Sequence, residues 1–119
     1  MIEIEIRQIP PMLLNTRMHP MVQYQKQMYW YGRTLVALSK AGVVGESWSP
    51  AQVTYTRCSG SRRPDFDNMV SSFKWIQDAI VLAGVLNDDD PYHINPHFIW
   101  LPASPKKGKI IVTIERATS

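Results

Sequence analysis

The spacing of apolar residues changes along this chain, and that change limits the possible folds more than any other feature. Ile2, Ile4 and Ile6 alternate with Glu3, Glu5 and Arg7, the period-two pattern of a half-buried strand. Over residues 21–41 the pattern turns helical, with Tyr24, Met28, Tyr31, Leu35 and Leu38 at three- and four-residue steps. Gly42 and Gly45 punctuate its end. Residues 52–57, rich in Val, Thr and Tyr, read as a second strand. A second helix places Met69, Phe73, Ile76, Ile80 and Ala83 on one stripe, with Asp67 or Asn68 to cap it and Gly84 to stop it. Residues 98–101 and 109–115 read as two closing strands, joined by a lysine-bearing loop. The order β-α-β-α-β-β predicts an α+β fold: a small sheet packed with two helices. The sheet is expected to be mixed, because the two helical connections are long and the last one is short.

At 119 residues the chain is read as a single domain, residues 1–119. Its 45% hydrophobic and 19% charged residues exclude a disordered or fibrous chain. The one cysteine, Cys58, excludes an internal disulfide and suits a reducing compartment, expected here to be the cytoplasm. The apolar run from Ile80 to Leu86 is far shorter than the ~18 residues of a membrane span, so no membrane partner is expected. The alternating start lacks the basic head and apolar stretch of a signal peptide.

The chemistry concentrates in Arg63-Pro64-Asp65-Phe66-Asp67-Asn68. Two carboxylates at i and i+2 share a face where the backbone is extended, and Pro64 biases Arg63 toward that geometry. Phe66 then points the other way, toward the core. Paired carboxylates repel unless a cation sits between them, and Mg2+ prefers oxygen ligands while keeping waters and sharing phosphate oxygens. Asp88, Asp89 and Asp90 form a second acidic cluster after the helix. The blander reading is that the first cluster caps a helix and the second is a solvated turn. With three of these acids on metal, thirteen bases face seven acids elsewhere, a balance suited to a phosphate-rich polymer.

Lys74 has two readings. It is a surface residue paired with Asp78 at i+4, or a cation that stabilises charge growing on a phosphate in the transition state. His93 and His97 are separated by Pro96, which argues against a helical zinc pair. Cys58 reads as packing. No catalytic Ser/His/Asp order or glycine-rich phosphate loop is present. Tyr24, Tyr29, Trp30 and Tyr31 offer stacking surfaces for bases, although aromatics at helical spacing are more often core.

Taken in order, Arg63-Pro-Asp-Phe-Asp-Asn68, Ser72-Phe-Lys74, Asp78-Ala79, Ala83-Gly-Val85 and Asp88-Asp89 resemble the RusA-type Holliday junction resolvases, a family common in prophages. Pro10-Pro11 with Asn15 and Arg17, and the Lys106-Lys107-Gly108-Lys109 turn, extend the likeness over most of the chain. The resemblance implies a Mg2+-dependent homodimeric endonuclease, with Mn2+ as substitute, that resolves four-way DNA junctions by paired nicks in recombination and repair. It implies Asp65, Asp67 and Asp89 as catalytic carboxylates and Lys74 as the essential lysine. Asp88 is a further candidate ligand, and the choice among Asp88, Asp89 and Asp90 stays open. Two features depart from the family: Lys74 lies about one helical turn further from Asn68, and Asp90 replaces a small polar residue. Arg17, Arg57, Arg62, Arg63, Lys106, Lys107 and Lys109 are the expected DNA contacts. The rival expectations are a non-catalytic nucleic-acid-binding module and a metal-dependent nuclease acting on other branched DNA.

Overall fold

The computed structural model describes residues 1–13, 17–87 and 94–117. Its elements are β1 (Ile2–Ile6), α1 (Pro20–Lys40), β2 (Ala51–Cys58), α2 (Phe66–Ser71), α3 (Lys74–Leu82), β3 (Ile94–Leu101) and β4 (Lys109–Arg116). The strands form one mixed sheet in the order β1-β4-β2-β3. β4 is antiparallel to both β1 and β2, whereas β2 and β3 run parallel. The fold is therefore α+β with a mixed sheet, as the pattern predicts. The two closing strands are not neighbours, because β2 lies between them. The connection from Leu101 to Lys109 arches over the end of β2.

Register explains the core. Ile4 lies across from Val112, Val112 from Tyr55, and Tyr55 from Phe98. Ile6, Ile110, Arg57 and Trp100 make the next row. Strand side chains alternate between faces, so Ile2, Ile4, Ile6, Val53, Tyr55, Ile110, Val112 and Ile114 share one face, and all are buried. The helices supply Trp30, Leu38, Ile76 and Ile80 to the same cluster, and Phe73, between α2 and α3, joins them.

α1 begins at Pro20 with His19 as its cap, whose Nδ1 accepts a hydrogen bond from the Met21 amide at 3.1 Å. Gly42 follows its end at φ 75°, the left-handed turn that glycine adopts at least cost. Of the residues that set the period of α1, only Leu38 is among those it fully buries. Its fully buried line is Trp30, Thr34 and Leu38, and Thr34 hides its hydroxyl by donating to the Trp30 carbonyl at 2.8 Å. Tyr24, Met28 and Leu35 are exposed.

The second helical region is broken. Ser71 Oγ donates to the Asn68 carbonyl at 2.7 Å, and Ser72 Oγ to the Met69 carbonyl at 2.6 Å. The Phe73 amide closes a tighter turn onto the Val70 carbonyl at 3.1 Å. These i−3 bonds compete with the i−4 ladder, and α3 starts afresh at Lys74. The stripe of Met69, Phe73, Ile76 and Ile80 is buried all the same, because the break re-aims the chain without turning its apolar face away.

Candidate functional site

The Asp65–Asp67 segment joins β2 to α2. Only Asp65 is extended (φ −59°, ψ 145°), and it is the residue that caps α2. Phe66 and Asp67 already belong to the helix. The two carboxylates therefore flank the first turn of α2 instead of sharing one face of a strand. Neither Asp67 nor Asn68 is the cap. Asp65 makes no side-chain capping bond, while Asp67 Oδ1 accepts from the Asn68 amide at 3.1 Å. Both aspartates are exposed.

Phe66 departs from its expected place in the core. It is 65% exposed and lies edge-on to Phe98, with ring centroids 6.0 Å apart. A helical start turns Phe66 outward, where an extended segment would have turned it in. Phe98 stacks in turn on Tyr55 at 5.1 Å, and Tyr55 touches Phe73 at 5.0 Å. This aromatic chain anchors the aspartate turn to the parallel strand pair. Tyr55 also donates from its hydroxyl to Gln77 Oε1 at 2.7 Å, fixing α3 to β2.

Lys74 opens α3, so the break separates it from Asp67, in place of two turns of one continuous helix. Its Nζ lies 3.0 Å from Asp78 Oδ1. Lys74, Ser71, Gln77, Leu13 and Phe98 line a groove of about 420 Å³ between the helices and β3. Phe98 thus borders the groove that holds Lys74 and also carries Phe66, the residue between the two aspartates.

Beyond α3 the chain is held firmly up to Asn87. Gly45 N and Trp48 N donate to the carbonyls of Ala83 and Val85, each at 2.7 Å. Ser49 Oγ accepts from the Asn87 amide, and Ser47 Oγ donates to Asn87 Oδ1, both at 2.9 Å. The acidic run starts at the next residue. Asp88, Asp89 and Asp90 lie outside the described residues, as do His93 and Asn15. Among the described residues, no group of three His, Cys, Asp or Glu side chains could hold a metal ion.

The basic residues divide into two kinds. Arg17, Arg62 and Arg63 are exposed. Arg57 is buried, contrary to the expected DNA contact. It shares the inward parity of Val53 and Tyr55 and lies across from Ile110. Its Nη1 donates to the Pro10 carbonyl at 2.8 Å and its Nε to Ser59 Oγ at 3.0 Å. Burial lowers its pKa from the ordinary value. Arg57 therefore holds the Pro10 segment and the strand exit together.

Lys106, Lys107 and Lys109 lie along a cleft of about 560 Å³ that Arg7, Glu5 and Cys58 also line. Glu5 Oε1 lies 3.4 Å from Lys109 Nζ and 3.5 Å from Arg7 Nε. One carboxylate thus sets two cations side by side and leaves the cleft basic. Gly108 is required here by close approach: a Cβ on it would lie 2.7 Å from Ile9 Cγ1. Arg7 is a cleft residue that the sequence reading missed. Its only signal is its place immediately after the Ile-Glu alternation.

No protein-family model matches the sequence, and no curated protein matches it. Among the described residues, no helix is long and apolar enough to cross a membrane.

Proposed function

We propose that this protein is a Mg2+-dependent endodeoxyribonuclease of the RusA type, which resolves four-way DNA junctions as a homodimer. The observation that carries the reading is the Asp65–Asp67 turn. It presents two exposed carboxylates, one of them uncommitted to capping, beside an aromatic anchor that also borders the groove of Lys74. The oxygen donors fit a hard divalent cation, which prefers carboxylates and retains waters. Asp65 and Asp67 would hold such an ion, with a third carboxylate from among Asp88, Asp89 and Asp90. When bound, the ion neutralises the phosphate and lowers the pKa of a water.

The chain's own residues do the rest. Lys74 supplies positive charge toward a phosphate in the groove and stabilises charge that builds up in the transition state. Arg62, Arg63 and the basic cleft hold the DNA backbone. Two nicks in a nearly two-fold junction require two sites related by symmetry, which a homodimer provides. The test is incubation of a labelled four-way junction and a matched linear duplex with the protein, with and without Mg2+. Paired nicks in the junction alone, and only with the ion, support the reading. Equal cutting of both substrates indicates a metal-dependent nuclease without junction selectivity.

A second reading is favoured by one contact, the 3.0 Å pairing of Lys74 with Asp78. In that reading the protein binds nucleic acid without cutting it, and no divalent ion changes the substrate in the same assay.

A further inference from the structure

We propose that Phe66 and the groove beside it form a subsite for one unstacked nucleobase, and that this subsite tells a branch point from continuous duplex. The proposal deepens the nuclease reading above and rests on it for the identity of the bound polymer. Single exposed apolar residues are ordinary on a protein surface, but Phe66 is placed differently. It stands between Asp65 and Asp67 in the chain, is 65% exposed, and meets Phe98 at an interplanar angle of 89°. A perpendicular contact covers little of a ring. Most of the Phe66 surface is therefore left to water beside the two carboxylates.

The groove of about 420 Å³ is the second observation. Val70, Phe73, Pro96 and Phe98 form its apolar side, and Lys74 and Gln77 stand on its polar side. Tyr55 fixes the Gln77 amide. Its hydroxyl donates to Oε1 at 2.7 Å, so the carbonyl is engaged and Nε2 remains as a donor. Phe98 joins two apolar surfaces, the Phe66 ring and the groove wall, while Gln77 and Lys74 supply donors alongside. Such a site fits a flat aromatic ring with acceptor atoms on its edge, which is the chemistry of a nucleobase.

Charge selects the polymer. Arg62 and Arg63 are exposed just before the aspartate turn, and Lys74 is exposed at the groove. Cations next to apolar rings suit a chain that alternates phosphates with bases. The carboxylates, their ion and the cations act on phosphates, which are the same in a junction and in a linear duplex. An unstacked base is not the same in both. Drawing a base out of a continuous stack is costly, and the cost falls where pairing or stacking is already interrupted, as at the crossing of a four-way junction. The subsite therefore favours the branch point.

The experiment binds the full chain, without Mg2+, to four-way junctions labelled with 2-aminopurine at each nucleotide of the crossing in turn, and to a linear duplex carrying the same base. This base analogue brightens when it leaves the stack. The wild type is expected to raise the fluorescence of the junction severalfold at one or more positions and that of the duplex not at all. Phe66→Ala is expected to abolish the rise and to weaken junction binding roughly tenfold, with duplex binding unchanged. Phe66→Tyr should restore both. Leu82→Ala, 69% exposed at the end of α3, should behave as wild type. Far-UV circular dichroism of every variant should match the wild type, since both side chains face solvent. A bound junction that never brightens, or a rise that survives Phe66→Ala, overturns the proposal. A wild type that does not bind the junction overturns both this proposal and the nuclease reading. Junction nicking with Mg2+ but no rise overturns the subsite alone. A rise lost in Phe66→Ala, in a protein that never nicks DNA, overturns the nuclease reading alone.

Discussion

At Asp67 one carboxylate oxygen accepts a single amide bond, and the side chain is otherwise turned to solvent at the first turn of α2. Replacement by Asn removes the charge with little change in shape. Asp67→Asn is expected to abolish cleavage while keeping, or tightening, junction binding without metal, because a negative charge leaves the DNA-facing surface. A binding gel alongside the cleavage assay checks both halves. Lys74→Ala separates its two readings in a similar way. The exposed pair with Asp78 is worth only about 0.3–0.5 kcal/mol, so stability should barely change. The proposed role predicts cutting slowed by roughly 10²-fold with binding nearly intact, and intact cutting would reduce Lys74 to its surface pair. Arg57 is the opposite case. Arg57→Ala leaves the buried Pro10 carbonyl without its donor and empties packed volume, so about 2–4 kcal/mol of stability should be lost in urea unfolding. DNA affinity per folded molecule should hold, since the guanidinium faces inward.

Among the elements, the turn after α3 depends on one residue. Gly84 has φ 76°, and a Cβ there would lie 3.2 Å from the Cα of Gly45. Gly84→Ala therefore meets both backbone strain and a backbone neighbour that cannot swing aside. A loss of about 1–3 kcal/mol is expected, seen as a fall in Tm of roughly 4 °C per kcal/mol. The role of Gly84 as a helix stop is legible in the sequence, as are the period-two strands and both helical regions. Such features are set locally, by backbone freedom and by alternation. The break at Ser72–Phe73 is not legible, because Phe73 continues the apolar stripe that the hydroxyl back-bonds interrupt. The outward turn of Phe66 follows from where α2 begins, a boundary that the i, i+2 spacing of Asp65 and Asp67 leaves open. The burial of Arg57 is not legible either, because a cation at a strand end gives no sign of its face until the register with β4 is known.

Across the whole molecule, the short Leu101-to-Lys109 connection arches over β2 and carries Lys106 and Lys107 toward Arg7 at the end of β1. That juxtaposition comes from topology, since Arg7 and Lys109 are far apart in sequence and meet only through the β1–β4 pairing. Binding through this cleft is a matter of phosphate contacts, which displace counterions. The four cations of this cleft should contribute roughly −3 to −4 per bound subunit to the slope of log K against log salt. Replacing Lys106 and Lys107 by Ala should flatten it by about two units. A wild-type affinity that does not respond to salt would take the DNA off this surface.

The claim on which the account depends is that Asp65 and Asp67 hold a divalent ion. Titration of Mn2+ into isotope-labelled protein tests it most directly, since the paramagnetic ion broadens only the amide resonances near its site. The account predicts broadening centred on Asp65, Phe66, Asp67 and Asn68 at low Mn2+, reversed by excess Mg2+ and lost in Asp67→Asn. Broadening centred elsewhere, or no site-specific broadening in the wild type, would contradict it.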